Sequence, residues 1–521
     1  MFPHPNLGPV MNTPGGKAYR PWKPELYAQQ AHAPATKLPE DDLVFFLIDV
    51  VPKLDLTPIH AYYQDETRGA PPFDPAMMVC LLLYAYCVGV FSSRKIAQAC
   101  ERNLAFLAIV GEERPDFRTI SLFRKNHLEA FADVFVQVLR LAKAAGLVRL
   151  GTITVDGTKI QGNASRHKAM SYGYMTREVA RLRAEIKELL EQAQRVDAQD
   201  EAALGARRGD ELPDELGRRR DRLATIEAAM KRLEAEAKAA ADAERQRRAE
   251  AEAERQRTGK KRRGRVPSPV VDTPDEKAQT NFTEPELPIM KTANKGWDCC
   301  GNAQASVDDG HQIIVACDVT DQCNDKQQAE PMAQATRSQL DQAGIAPAGD
   351  ETGARPAIPA ALDSGYFSGP AVEAMEREGF DPYIATERQR HHRGTAPGAA
   401  EPTPAPSATS TATAEPTPAP SATSTAASEP TTAKEKMQAK LKTPAGRAIY
   451  ARRKAIAEPV YGQIKEARGF RRFLLRGLAQ IRGEWRLVCL THNLLKIWRY
   501  GWRNLRGSGC AVATGGVAGI G

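Results

Sequence analysis

Between residues 303 and 386, short apolar runs alternate with helix-like stretches, and this alternation limits the possible folds more than any other feature of the chain. Residues 303–307 and 312–319 read as strands separated by Asp308-Asp309-Gly310, a hairpin turn sequence. A helix over 325–343 leads to the apolar run 357–362, which is followed at once by Asp363-Ser-Gly-Tyr-Phe367, a helix over 368–379 and a strand over 383–386. Upstream, residues 151–160 change to period two. Ile153 and Val155 face one way and Thr152, Thr154 and Asp156 the other, with Gly157 interrupting, so this is a strand ending in a carboxylate. Strands in alternation with helices specify an α/β core.

The rest of the chain divides by composition. Residues 1–39 lack periodicity and read as an irregular arm. Residues 40–150 form an all-α domain, in which Asp74-Pro75 caps a helix over 77–89 that is apolar all round and therefore buried. A second helix covers 94–103, and a longer one runs from Arg118 to about Ala145. Within it, Thr119-Ile-Ser-Leu-Phe-Arg-Lys-Asn-His127 has the character of a DNA-recognition helix with Ile120 and Phe123 inward; an ordinary amphipathic surface helix has the same pattern. Residues 151–170 hold the first core strand. Residues 171–265 read as a charged helical insertion, two helices broken around 205–213 and ending in the basic run 260–265; a solvated hairpin is favoured over a specific partner site. The core sheet follows over 266–390. Residues 391–432 are a low-complexity linker. In it Glu401-Pro-Thr-Pro-Ala-Pro-Ser-Ala-Thr-Ser-Thr-Ala412 recurs from Glu415 and starts again at Glu429, and such repeats cannot bury enough apolar surface to offset chain entropy, so disorder is expected. Basic helices over 445–467 and 471–499 occupy 433–506, and 507–521 is a loose Gly/Ala-rich tail.

Composition narrows the function. The longest apolar run, 77–91, is shorter than the about 20 residues a bilayer span needs, and residues 1–10 carry three prolines without a basic-then-apolar layout. No membrane segment or secretory signal is expected, and the chain should be cytoplasmic. The nine cysteines form no Cys-x-x-Cys pair, which argues against a zinc site. Residues 447–506 carry 15 Lys/Arg against 3 Asp/Glu, so a polyanion is the natural partner.

Asp156 and Asp363 end two strands, and Glu458 lies in the basic helical region. Strand ends in an α/β sheet gather at one edge. Three carboxylates there can hold hard divalent cations, and two such ions can activate water or a hydroxyl and stabilise the departing oxygen in phosphodiester chemistry. Each acid alone is a weak signal, because a strand-end Asp is more often a turn or cap residue. Asp298, Asp308, Asp309, Asp318 and Asp321 have such turn explanations. Trp297 could stack on an unpaired base, but packing against the sheet is the favoured reading. Trp485, Trp498 and Trp502 share a helical spacing with Leu487, Leu490, Leu494 and Ile497 that favours core.

Pro71-Pro-Phe-Asp-Pro75, Val155-Asp-Gly-Thr-Lys-Ile160, Asn163-Ala-Ser-Arg-His167, Lys326-Gln-Gln328, Asp363-Ser-Gly-Tyr366 and Glu458-Pro-Val-Tyr-Gly-Gln-Ile-Lys465 resemble, in order and spacing, a bacterial insertion-sequence transposase of the DDE class with a ribonuclease H-like core. The resemblance implies catalytic, metal-binding Asp156 in the first core strand, Asp363 after the fourth and Glu458 on the helix after the variable insertion, with Glu466 in reserve. It implies Mg²⁺, or Mn²⁺ as a substitute, as two ions. It also implies Lys465 at the DNA near the cleaved end, with Arg453, Lys454, Tyr450, Arg468 and Arg471 as further DNA contacts. The family pattern places Arg four and Tyr seven residues before the Glu; here Arg453 and Tyr450 are each displaced by one, and Pro459 follows the acid, where it disfavours helical geometry at Glu458. The implied activity is cleavage at terminal inverted repeats and strand transfer into target double-stranded DNA, by a homodimer that joins two ends and is nucleoid-associated when bound to DNA. A metal-dependent nuclease without strand transfer and an inactive DNA-binding derivative are the competing readings.

Overall fold

The structure, a computed structural model, describes residues 22–23, 34–64, 71–204, 214–259, 267–292, 296–347, 356–387 and 432–507. The expected helix break at 205–213, the basic run 260–265, the repeats and the tail beyond 507 lie outside these residues, as does most of the arm. From that arm, Trp22 donates through Nε1 to Ile109 O at 2.9 Å.

Among the described residues, seven α-helices open the fold: α1 (Leu43–Val50), α2 (Thr57–Ala61), α3 (Pro75–Cys87), α4 (Ser93–Arg102), α5 (Leu104–Val110), α6 (Phe117–Asn126) and α7 (Ala130–Ala144). Asp74 caps α3 by accepting from Ala76 N at 2.7 Å and Met77 N at 3.2 Å, and Pro75 occupies its first turn. Residues 77–87 of α3 are buried on every side, as the unbroken apolar pattern requires. The expected long helix from Arg118 to Ala145 is instead two, α6 and α7. The chain leaves helical geometry at His127, and Leu128 packs over Gly483, where an added Cβ would lie 2.8 Å from Leu128 Cβ. This inward tertiary contact outweighs helix continuity.

The main sheet contains β1 (Ile153–Gln161), β4 (Ile289–Lys291), β5 (Trp297–Asp308), β6 (Ile314–Thr320), β7 (Ile358–Leu362) and β8 (Phe380–Ile384). The order across it is β6-β5-β1-β7-β8, with β4 on the outer end of β5. β1 pairs antiparallel with β5 and parallel with β7, and β7 pairs parallel with β8. Asp309-Gly310 turns the β5–β6 hairpin, and the Asp308 carboxylate receives Leu150 N at 2.7 Å and Gly310 N at 3.0 Å, a structural role that matches the turn reading. Short strands β2 (Ala169–Ser171) and β3 (Gln279–Asn281) pair at the root of the insertion. Its helices α8 (Tyr172–Leu204) and α9 (Asp214–Thr258) share a small core of Met175, Val179, Leu182, Ile226 and Leu233, and charged outer faces carry ion pairs such as Arg183–Glu227 at 2.7 Å.

Then follow α10 (Ala329–Gln342), α11 (Gly369–Arg377), α12 (Ala433–Lys442), α13 (Pro444–Gly462), a π-helical turn (Gln463–Ala467), α14 (Leu478–Tyr500) and α15 (Trp502–Gly507). The expected helix over 471–499 begins only at Leu478. Gly469 (φ +74°) and Gly477 (φ +87°) take left-handed conformations that break helical geometry, and the chain between them lies along the free edge of β1, where Phe473 N donates to Gln161 O at 2.8 Å. α13 by contrast runs straight through Pro459. The proline has no N–H for the Ala455 carbonyl, which instead accepts from Gln312 Nε2 at 3.1 Å.

α14 packs against α3, α7 and β6, so one continuous apolar core spans the helical region and the sheet. Trp485 is fully buried there and donates to Gln304 O at 2.9 Å. Beside it, the buried Glu484 carboxylate accepts from Tyr86 Oη at 3.1 Å, Leu474 N at 2.8 Å and Leu475 N at 3.1 Å, while Arg124 of α6 donates to Tyr86 Oη at 3.0 Å. Burial pushes the Glu484 carboxyl up from its ordinary range, against the pull of Arg124 and these donors. Among the described residues, no helix is long and apolar enough to cross a membrane.

Candidate active site

Pairing between β1 and β7 ends at Val155–Leu362, so Asp156 and Asp363 are the next residues on two adjacent parallel strands. Neighbouring strands lie about 4.8 Å apart, which places the two carboxylates side by side. Asp156 does not end its strand, contrary to the sequence expectation. β1 continues to Gln161 against β5, with Asp156 opposite Ala305; only the parallel partner stops there. Asp363 does end β7, and its Oδ1 caps the turn that follows by accepting from Ser364 N at 2.7 Å. Asp156 Oδ1 accepts from Gly157 N at 2.9 Å.

A third acid joins them, and it is Asp325, which the sequence reading placed only at a helix start. Its Oδ1 accepts from Asn302 Nδ2 and Gln304 Nε2, each at 2.8 Å, and Gln304 Oε1 in turn receives the buried Tyr366 hydroxyl. Gly157 makes room for this cluster: a Cβ there would sit 2.3 Å from Gln304 Nε2 and 2.9 Å from Asp325 Oδ1. Burial chiefly, with Asp363 and Asp325 adding repulsion, pushes the Asp156 carboxyl up to about 6, although Gly157 N–H and Arg453 pull it down. Burial and the same three acids hold the Tyr366 hydroxyl well above its usual range. A signal for Asp325 was present in Asn302-Ala-Gln304-Ala-Ser306-Val-Asp308. There every second residue of a strand flanked by apolar sequence is polar, yet all four are buried, a pattern that requires partners on the facing element.

α13 covers the other side. Arg453 is buried, with Nη2 3.8 Å from Asp363 Oδ1, and its guanidinium lies 5.9 Å from the Tyr450 ring. Tyr461 donates its hydroxyl to the main-chain oxygen of Asp156, tying the helix to β1. Glu458 is exposed and forms no hydrogen bond or ion pair among the described residues, but it stands one helical turn before Tyr461. The structure thus brings Asp156, Asp363 and Asp325 together and leaves Glu458 exposed on α13, outside the charges that act on Asp156; among the described residues no three metal-ligating side chains meet at ligand distance.

Of the expected DNA contacts, Lys465 is half-buried beside β1, its ammonium on Thr158 Oγ1 and 3.1 Å from Lys159 O, and burial followed by Arg471 lowers its proton affinity. Lys454 is exposed, and Arg471 pairs with Glu466, the reserve acid. Arg468 is the correction. It is buried, with Nη1 2.8 Å from Thr491 Oγ1 and Nη2 3.1 Å from Val488 O, so its guanidinium joins the π-turn to α14 rather than facing solvent. Trp297 is a second correction. It is 56% exposed, not packed on the sheet.

Residues 33–126 match a family model described as a transposase domain (DUF772), and residues 417–498 match one described as a transposase DDE domain. The first covers α1 to α6; the second includes Arg453, Glu458, Tyr461 and Lys465. No curated protein and no solved structure matches the chain.

Proposed function

We infer that this chain, which the two matches support as an insertion-sequence DDE transposase, binds the terminal inverted repeats of its element, cleaves a phosphodiester there and transfers the freed 3′ end to target DNA. The observation that carries the reading is the pair Asp156–Asp363 at the end of a parallel strand pair, under a helix that brings Arg453 and Lys465 to the same edge. The mixed sheet, with the first acid on β1 and the second directly after β7, its parallel neighbour, supports a ribonuclease H-like core.

The donor chemistry fits a hard divalent cation. Asp156 and Asp363 offer oxygen ligands with Arg453 as counter-charge, and burial first, with added repulsion from Asp363 and Asp325, raises Asp156 to about 6, a cost that a divalent ion would relieve. Asp156 and Asp363 would hold Mg²⁺ or Mn²⁺, with Glu458 reaching from α13, and two ions suit in-line displacement at phosphorus. When bound, such ions supply activation of the attacking oxygen and stabilisation of the leaving one. The chain's own groups do the positioning. Gly157 N–H fixes one Asp156 oxygen and leaves the other free, Tyr461 locks α13 over β1, and Arg453 and Lys465 neutralise phosphate beside the acids.

In the first step water gives up a proton and bonds to phosphorus while the P–O bond to the 3′ oxygen breaks and that oxygen takes up a proton. In the second, the freed 3′ hydroxyl gives up its proton and bonds to a target phosphorus while the bond from that phosphorus to the target strand's own 3′ oxygen breaks, and that oxygen leaves as a protonated 3′ hydroxyl. The helical region over 34–144 would bind the repeats, with Arg94 and Arg118 bracketing the exposed Phe117 ring at 5.1 and 5.6 Å as one basic surface. A homodimer would bring two ends together. Purified protein incubated with DNA carrying its own flanking repeats should nick only with Mg²⁺ or Mn²⁺, and pre-cut ends should join to target DNA. Asp156→Asn should abolish both while keeping salt-sensitive binding. Cleavage without joining favours the plain nuclease, and cleavage retained by Asp156→Asn overturns the assignment.

A further inference from the structure

Away from the carboxylates, at the outer end of β5, a cleft of about 780 Å³ is lined by Arg166, His167, Lys277, Gln279, Ile289 and Trp297 among others. Its aromatic wall is the 56% exposed indole, and Lys291 stands opposite Trp297 in the β4–β5 register. No acid lines the cleft, and the side chains of Arg166 and Lys277 form no ion pair or hydrogen bond among the described residues. Of the acids adjacent in sequence to lining residues, Asp298 beside Trp297 is engaged by Gln161 Nε2 at 2.8 Å, and Glu276 beside Lys277 is exposed. A Trp 56% exposed beside Arg166, His167 and Lys277 is not there to fill a core. A flat π-face beside phosphate-seeking charges is the equipment of a nucleotide pocket.

Cations also mark the way from the carboxylates to this cleft. Along β1 and its continuation, Lys465 sits at Thr158, Arg472 reaches Gln161 Oε1 at 3.0 Å, and Arg476 donates to Asn163 O at 3.0 Å, just before Arg166. Trp297 lies eight residues along β5 from Ala305, the partner of Asp156. At about 3.4 Å per residue that is roughly 27 Å, or about eight nucleotides of DNA at about 3.4 Å each.

We propose that this cleft binds one unpaired nucleotide of a DNA strand about eight positions from the reacting phosphate, with the base stacked on Trp297 and its phosphates held by Arg166, His167 and Lys277. The inference rests on the transposase reading for its ligand, but not on the metal chemistry. Its function would be to fix the register of the strand along β1 by a base held out of the duplex.

The test uses the full chain with two fluorescent probes, a twelve-nucleotide oligothymidylate and a twelve-unit abasic strand. Wild type should bind the first about tenfold more tightly, the scale of one stacked base. Trp297→Ala should remove that preference while leaving affinity for the abasic strand unchanged, and Trp297→Phe, which keeps a ring, should restore most of it. Arg166→Ala with Lys277→Ala should weaken both probes and flatten the salt dependence by about two phosphate contacts. A Trp297→Ala protein that keeps the wild-type preference overturns the proposal, as does a wild type that binds both probes alike. Asp156→Asn serves as the separate arm. If it still cleaves DNA, the transposase assignment of the acids fails even where the stacking result stands; if cleavage is lost and the base preference is absent, only the pocket fails.

Discussion

Replacing Asp156 by asparagine should make the protein more stable as well as inactive, and the size of the gain follows from the carboxylate's surroundings. Burial and the charges of Asp363 and Asp325 raise its carboxyl from the ordinary 3.8 to about 6. At about 1.4 kcal/mol per pH unit, that difference corresponds to about 3 kcal/mol. A carboxyl whose proton affinity is higher in the folded state contributes its stabilisation below the unfolded value and loses it as pH rises through the folded one. Wild type should therefore lose up to about 3 kcal/mol of folding free energy between roughly pH 4 and pH 6 through this group. Asparagine has no such charge to desolvate, and its amide oxygen can still accept from Gly157 N–H. Loss of the attraction to Arg453 trims the benefit, so about 1–3 kcal/mol is expected at pH 8 and almost none at pH 4. Urea unfolding of the two proteins in EDTA at both pH values measures it. Adding Mg²⁺ should then stabilise wild type and not the variant, since only the former retains the ligand. If Asp156→Asn is the weaker protein at pH 8, or differs equally from wild type at both pH values, the buried charge of Asp156 does not carry the cost assigned to it.

Other consequences can be checked alongside. Glu484→Ala should cost about 3–5 kcal/mol in chemical unfolding, because Tyr86 Oη and the backbone N–H groups of Leu474 and Leu475 lose their buried acceptor and Arg124 loses a nearby counter-charge; a cost below about 1 kcal/mol would mean water replaces it freely. Asp325→Ala frees Asn302 and Gln304 and should slow DNA cleavage by about 10–100-fold with DNA affinity unchanged, the usual effect of removing an orienting partner; wild-type cleavage would make that acid incidental. Lys465→Ala should lower the salt slope of DNA binding by about one, whereas Arg468→Ala should leave the slope intact and destabilise the fold, since its guanidinium is already committed to Thr491 and Val488.

Local patterns were legible where local physics decides. The Asp74 cap and the apolar run behind it specify α3 without help from the rest of the chain. The period-two stretch 151–160 and the expected strands 303–307, 312–319 and 357–362 fall on β1, β5, β6 and β7, although β5 begins six residues earlier, at Trp297, and the Asp309-Gly310 turn joins two of them. Boundaries moved where a distant partner intervened. Leu128 against Gly483 split one expected helix, and the edge of β1 drew residues 471–473 out of another. Arg468 and Trp297 were misplaced for the same reason, because charge and aromaticity describe a side chain and not which way its backbone aims it.

By its order of residues alone, this chain determined its helical opening, its α/β core, the charged helical insertion and the strand-end position of Asp363, because hydrophobic period, capping and turn chemistry act over a few residues. Only the folded sheet decided that Asp156 has no parallel partner beyond Val155, that Asp325 arrives from a separate turn to share its field, and that Glu458 stays exposed on α13. Those outcomes depend on strand register and on what each buried polar group meets across the sheet, contacts between residues up to hundreds of positions apart that no local pattern encodes.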